Sequence, residues 1–100
     1  MGSLTYPYTI VGAQFPISGL SSVQEITIQQ GANGALIQAQ DEDVLYTVDG
    51  TPPDPNASPK VGFTLVAEHD PIFVSVPVGT IIKFKEVAAS ATVQTLQVLG

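Results

Sequence analysis

Cysteine, arginine and tryptophan are all missing from this chain, and only 12% of its 100 residues carry charge, about half the usual share. The first absence removes disulfide frameworks, thiolate metal sites and cysteine nucleophiles together. The second leaves Lys60, Lys83 and Lys85 as the basic side chains of a molecule with net charge −6. These are too few cations to neutralise a phosphate backbone, so nucleic acid is not an expected partner. Long apolar runs are missing too: none approaches the roughly 20 residues that cross a bilayer, and the N-terminus has neither the basic start nor the continuous apolar stretch of a signal peptide. No membrane partner is expected, and the mature chain is expected to begin near Met1. So little charge in a chain that is 44% apolar points to a surface partly covered by a partner.

What is present is a period-two alternation of apolar and polar residues, in short runs bounded by Gly, Pro, Asn, Asp and Ser. Runs at 23–30, 35–39, 44–48, 62–66, 72–76, 80–87 and 91–99 follow an N-terminal stretch broken by Pro7, Gly12, Pro16 and Gly19. They predict an all-β fold, a single β-sandwich, jelly-roll-like, with about seven or eight strands. Residues 1–19 are expected as an N-terminal arm or first edge strand, and 20–100 as the sandwich domain. The turn Gly31-Ala32-Asn33-Gly34 predicts a hairpin between the first two firm strands. Alternation assigns Ile26, Ile28, Ile37, Leu45, Val48, Phe63, Leu65, Ile72, Val74, Ile82, Phe84, Leu96 and Val98 to the core, with Thr95 and Gln97 facing water or a neighbour.

The strand Val44 to Val48 stops abruptly at Asp49-Gly50, where an aspartate can accept hydrogen bonds from the following backbone N–H groups and a glycine permits positive φ. Four prolines then fall within the eight residues Pro52 to Pro59, which predicts a stiff, projecting loop without regular ladder bonds. Its Pro52, Pro53 and Pro55 are candidate partner contacts.

Reactive groups are sparse. His69, in Glu68-His69-Asp70-Pro71, is the only histidine, and a lone histidine in a charged turn reads as an exposed or hydrogen-bonding side chain. Asp41-Glu42-Asp43 lacks the alternating ligands and the glycine of a calcium loop and reads as a solvated acidic turn. No catalytic residue, cofactor or metal site is expected, and the chain is not expected to be an enzyme. Lys83 and Lys85 alternate with Ile82 and Phe84 and should emerge on one face, as contacts to a partner's acids or as protection of an edge strand. Gln29, Gln30, Gln38, Gln40, Gln94 and Gln97 make the outward faces rich in uncharged amides, as suits a subunit interface. Tyr6, Tyr8 and Phe15 are candidate anchors of an N-terminal arm, or members of the sandwich's own first strand.

Two resemblances attach to these residues. Tyr46-Thr47-Val48-Asp49-Gly50-Thr51-Pro52, with Ser58 and Gly62-Phe63 downstream, looks like the Tyr-Thr-x-Asp-Gly-Thr-x-Pro pattern of immunoglobulin-like modules appended to chitobiase and other bacterial glycosidases. It covers about twenty residues. A wider span, from Ala35 to Ala39, Val44 to Pro52, Gly62 to Leu65, Ile81 to Val87 and the terminal alternating strand, is similar to small virion proteins of tailed bacteriophages. That second resemblance covers about two thirds of the chain. It implies a capsid decoration or cement protein made in the host cytoplasm, bound to the major capsid protein on the outside of the phage head and forming a homotrimer. The alternatives are a fibre or tail component, or a carbohydrate-associated accessory module, which would need exposed aromatic rings for sugar stacking.

Overall fold

A computed structural model describes residues 9–100, and within them the backbone is strand and turn throughout. The strands are β1 (Thr9–Ile10), β2 (Phe15–Ile17), β3 (Gln24–Thr27), β4 (Gly34–Gln40), β5 (Val44–Thr47), β6 (Phe63–Leu65), β7 (Ile72–Ser75), β8 (Ile81–Glu86) and β9 (Thr92–Leu99). All seven runs with firm alternation became strands. The additional pair, β1 and β2, lies in the N-terminal stretch and lines up along β9. The described part of 1–19 therefore belongs to the sandwich as an edge, while Tyr6 and Tyr8 lie outside the described residues.

The sheets are β7-β4-β9 with β1 and β2 on the far side of β9, and β3-β8-β5-β6, every pairing antiparallel. From β2 to β9 the pairs β2/β9, β3/β8, β4/β7 and β5/β6 nest inside one another. This is a long hairpin wrapped onto itself, the eight-stranded jelly roll. From β2 onward every loop therefore steps between sheets except the one that joins the neighbours β5 and β6.

That topology corrects the expected hairpin at Gly31 to Gly34, because β3 and β4 sit in opposite sheets. The Asn-Gly pair is there for other reasons. The Asn33 amide pairs with Gly100, donating from Nδ2 to its O at 2.9 Å and accepting at Oδ1 from its N–H at 2.8 Å. The backbone of Asn33 meanwhile bonds Val98 and Val76, tying the crossing to both neighbours of β4. At Gly34 a Cβ would stand 2.3 Å from the Val74 carbonyl oxygen and 2.6 Å from the Phe73 ring. Glycine is required by close approach, since the φ of Gly34 is not positive.

Between the sheets lie Ile17, Leu20, Ile26, Ile28, Ile37, Val44, Leu65, Ile82, Phe84 and Val93, with the small Ala32, Ala35, Ala39 and Ala91. Val48 and Val74 pack against this cluster while half-buried. Phe63 and Ile72, expected inside, are 66% and 39% exposed because β6 and β7 are edge strands with cover on one flank only. On β9 the expected phase is reversed at its centre: Thr95 is buried and Leu96 half-buried on the outer side. Thr95 lies opposite Ile37, a core residue, and its hydroxyl donates to the Phe15 carbonyl at 2.9 Å, which satisfies the buried polar atom.

Candidate functional site: an uncharged sheet face

The five strands of the first sheet contain no charged residue, whereas the second sheet carries Glu25, Lys83, Lys85 and Glu86. Register divides each strand of the first sheet between the core and the outside. Ala35, Ile37 and Ala39 of β4 stand opposite Gln97, Thr95 and Val93 of β9 on the inner side. The alternate pairs Gly34/Val98, Leu36/Leu96, Gln38/Gln94 and Gln40/Thr92 take the outer side, where Gly34 and Val98 are themselves buried, Val98 as expected. The outer face thus has an apolar half and an amide half, set end to end along the strands.

In the apolar half Phe73, Leu36 and Leu96 are abreast on β7, β4 and β9, and Ile10 of β1 lies opposite Val98. Ile10, Leu36, Phe73 and Leu96 border, with Gln14, Gln38, Gln94 and Pro71, a shallow concavity of about 520 Å³. Ile10 is 55% exposed there.

In the amide half four glutamines form a directed relay. Gln14 donates from Nε2 to Gln94 Oε1 (3.1 Å), Gln94 to Gln40 (3.3 Å), Gln40 to Gln38 (3.4 Å), and Gln38 to the His69 carbonyl (2.6 Å). The chain of bonds crosses the sheet from the β1–β2 link to the β6–β7 loop. Each amide donates one N–H, and Gln94, Gln40 and Gln38 also accept one bond, so every member keeps at least one donor and one acceptor position. Gln29 and Gln97, which sequence reading grouped with these amides, do something else: Gln97 accepts from the Gln29 N–H (2.7 Å) and donates to the Thr27 carbonyl (3.0 Å), tying β9 of one sheet to β3 of the other.

The opposite outer face closes on itself. Lys83 Nζ donates to the Gly50 carbonyl at 3.0 Å, and Lys85 Nζ to the Ser21 carbonyl. Glu25 stands directly across the ladder from Lys83. Both lysines share a face as expected, but edge protection is not their role, because β8 is flanked by β3 and β5.

The Pro52 to Pro59 loop is more closed than its composition predicts. Asp54 and Val61 form an antiparallel bridge with both bonds at 3.0 Å, and the Asp54 carboxylate accepts from the Asn56 N–H at 2.9 Å. Pro52 is exposed, Pro55 half-buried and Pro53 buried, so Pro53 presents no surface to a partner. At the strand end the Asp49 carboxylate accepts from the Thr51 N–H at 3.0 Å, and that bond holds its pKa below the usual range. Beside it Tyr46, Val48, Val61 and Phe63 line a second groove of about 370 Å³, with the Tyr46 and Phe63 rings 5.7 Å apart and tilted by 44°. Burial pushes the Tyr46 phenol up.

The acidic turn is fastened to the β6–β7 loop: Ala67 donates its N–H to Asp43 Oδ1 and Asp41 donates its N–H to Glu68 Oε1, both at 2.8 Å. Among the described residues no three His, Asp or Glu side chains are grouped to hold a metal ion. His69 is exposed, and Phe15 is 60% exposed on β2, away from the lysine face. The sequence-derived contacts are therefore not brought into one patch. The residues that do share a patch include Ile10, Gln14, Leu36, Phe73 and Leu96, of which only Leu96 was singled out, and for the core. The signal was the absence of charge from five separated segments, legible once those segments are known to be one sheet.

No family model matches this chain, and neither the curated proteins nor the solved structures compared with it contain a match.

Proposed function

We propose that this protein is a structural assembly module that works by protein–protein contact through the outer face of the β7-β4-β9-β1/β2 sheet, and that its setting is the outside of a tailed-phage head as a decoration or cement protein. One observation carries the assembly part: an entire sheet face without charge, half apolar and half ordered amide, on a molecule of net charge −6. Charged residues are depleted at the cores of interfaces because desolvating them is costly, while a free surface gains solubility from them. The virion setting is supported by the resemblance over two thirds of the chain. A mechanical role follows: many modest contacts, repeated over symmetric copies, raise the cost of separating capsid subunits.

The test is cosedimentation with heads assembled from the major capsid protein of the same particle and stripped of accessory proteins. Saturable binding that Leu36→Lys abolishes is expected. Wild-type protein left in the supernatant at every concentration would remove the virion reading.

A carbohydrate-associated role is favoured by one feature, exposed Phe63 beside Tyr46 and Asp49 in the smaller groove. The 44° tilt between the rings does not make a flat stacking platform. Retardation on chitin or another polysaccharide column, lost in Phe63→Ala, would shift the assignment to that groove.

A further inference from the structure

We infer that the partner of this uncharged face is, in the free protein, a second copy of the same chain, the two sheets packing face to face about a two-fold axis that runs along the strands. This rests on reading the face as an assembly surface and names its occupant.

The first argument is electrostatic. Two molecules of net charge −6 repel, and any contact that sets like charges together is disfavoured. The second sheet presents lysine and glutamate on its strands, and the turns present Asp41, Glu42, Asp43, Glu68 and Asp70. The first sheet's face is where two copies meet without opposing charged strands, and the acidic turns at its amide end, Asp41 to Asp43 and Glu68 to Asp70, supply the residual repulsion that salt screens.

The second argument is self-complementarity. A two-fold contact places a patch against itself, so its chemistry must match its own image. A carboxylate or ammonium face fails that condition. Glutamine meets it, because each amide both donates and accepts, and every member of the Gln14-Gln94-Gln40-Gln38 row retains one of each after the bonds within the row. Those internal bonds also fix long side chains in advance, which lowers the ordering cost of association.

The third argument fixes the axis. The amide and apolar halves lie end to end along the strands. A two-fold axis across the strands would lay amides on leucines. An axis along them lays amide on amide and apolar on apolar, setting Leu36 near Leu96 of the second copy and Phe73 near its Ile10. Near-parallel strands in the two sheets are the ordinary aligned packing of sheet on sheet.

Size sets the strength. Four strand columns about 4.8 Å apart, along the eight residues of β9 at about 3.4 Å each, give a face on the order of 500 Å², or roughly 1,000 Å² buried in total. That is the lower end for a specific interface, so a reversible dimer with micromolar dissociation is expected. This gives pairs, in contrast to the threefold clustering that the phage resemblance implies.

Sedimentation equilibrium of the full chain, over a concentration series at low and high salt, tests the inference. The expected result is a monomer–dimer equilibrium that tightens as salt screens the repulsion. Leu96→Lys and Ile10→Lys should each weaken it by 100-fold or more. Thr64→Lys, which adds the same charge on the outside of the second sheet, should leave it unchanged. Ile10 is already 55% exposed, so Ile10→Lys folds even where Leu96→Lys does not, as circular dichroism will report. A wild type that stays monomeric, a trimer, or dimers unaffected by both lysines would overturn the inference. A monomer whose capsid binding is lost in Ile10→Lys would overturn the second copy and keep the assembly reading. A dimer indifferent to heads would do the reverse for the virion reading.

Discussion

The two outer faces of this sandwich are built from similar strands and end in opposite states. On the second sheet, long cationic side chains turn back onto their own loops, Lys83 to Gly50 and Lys85 to Ser21, and the polar groups find partners within the molecule. On the first sheet the amides bond to one another in a row that keeps capacity for more, beside leucines half open to the outside. A face that is complete in itself stabilises one chain. A face that is ordered and incomplete is suited to a neighbour, and the contrast shows why counting exposed charges alone would misplace the interface.

The contrast can be broken most severely at Gly34. A methyl group there must displace both the Val74 carbonyl and the Phe73 ring, so Gly34→Ala is expected to cost about 3 kcal/mol in urea unfolding and to disturb the apolar half of the face. Gly50, beneath Lys83 on the other side, has open space around it and a φ of +88°. Gly50→Ala should therefore cost about 1–2 kcal/mol, all of it backbone strain. Equal losses at the two glycines would erase the distinction between close packing and conformational need.

Gln94→Ala cuts the amide row at its second member. The expected stability loss is about 1 kcal/mol, because its neighbours can turn to water, while self-association should fall tenfold or more. An unchanged dimer would show the row to be internal decoration. Lys83→Ala and Lys85→Ala should cost at most about 0.5–1 kcal/mol each at these half-buried positions and leave association untouched. Loss of association in either variant would make the lysine face the contact instead.

The smallest effect concerns pH. The Asp49 carboxyl has a folded pKa below its unfolded value, chiefly through the Thr51 N–H bond, so its contribution is fully present above the unfolded pKa near 4 and fades as pH falls through the folded one. Asp49→Asn keeps an acceptor for Thr51 and removes the titration. Its thermal midpoint should match the wild type at pH 7 and fall less between pH 5 and 2; a parallel fall would mean that other carboxylates govern acid sensitivity.

Much of the fold was legible because strand existence rests on local alternation, and every firm run from β3 to β9 is a strand. Partnership rests on distant contacts. Asn33-Gly34 resembles a hairpin turn, yet the glycine answers to Phe73 and the asparagine to Gly100, some 40 and 67 residues on. The phase of β9 was misread because both of its faces carry apolar side chains, and only pairing with Ile37 decides that Thr95 goes inside. The face itself was half visible in Gln38, Gln40 and Gln94. Gln14 and Phe73 gave no local sign, since a glutamine in a loop and a phenylalanine in an apolar strand are ordinary by themselves.

The nested pairing also sets an order of assembly. The second sheet is complete in sequence once Glu86 has been made, since β3, β5, β6 and β8 all precede that point. In the first sheet β9 is the shared neighbour of β1, β2 and β4, and it is synthesised after every other strand. In chain order the charged wall therefore has all its strands before the uncharged one does. The amide row that readies this surface for a neighbour does not exist until β9 docks, because Gln94 alone links Gln14 to Gln40.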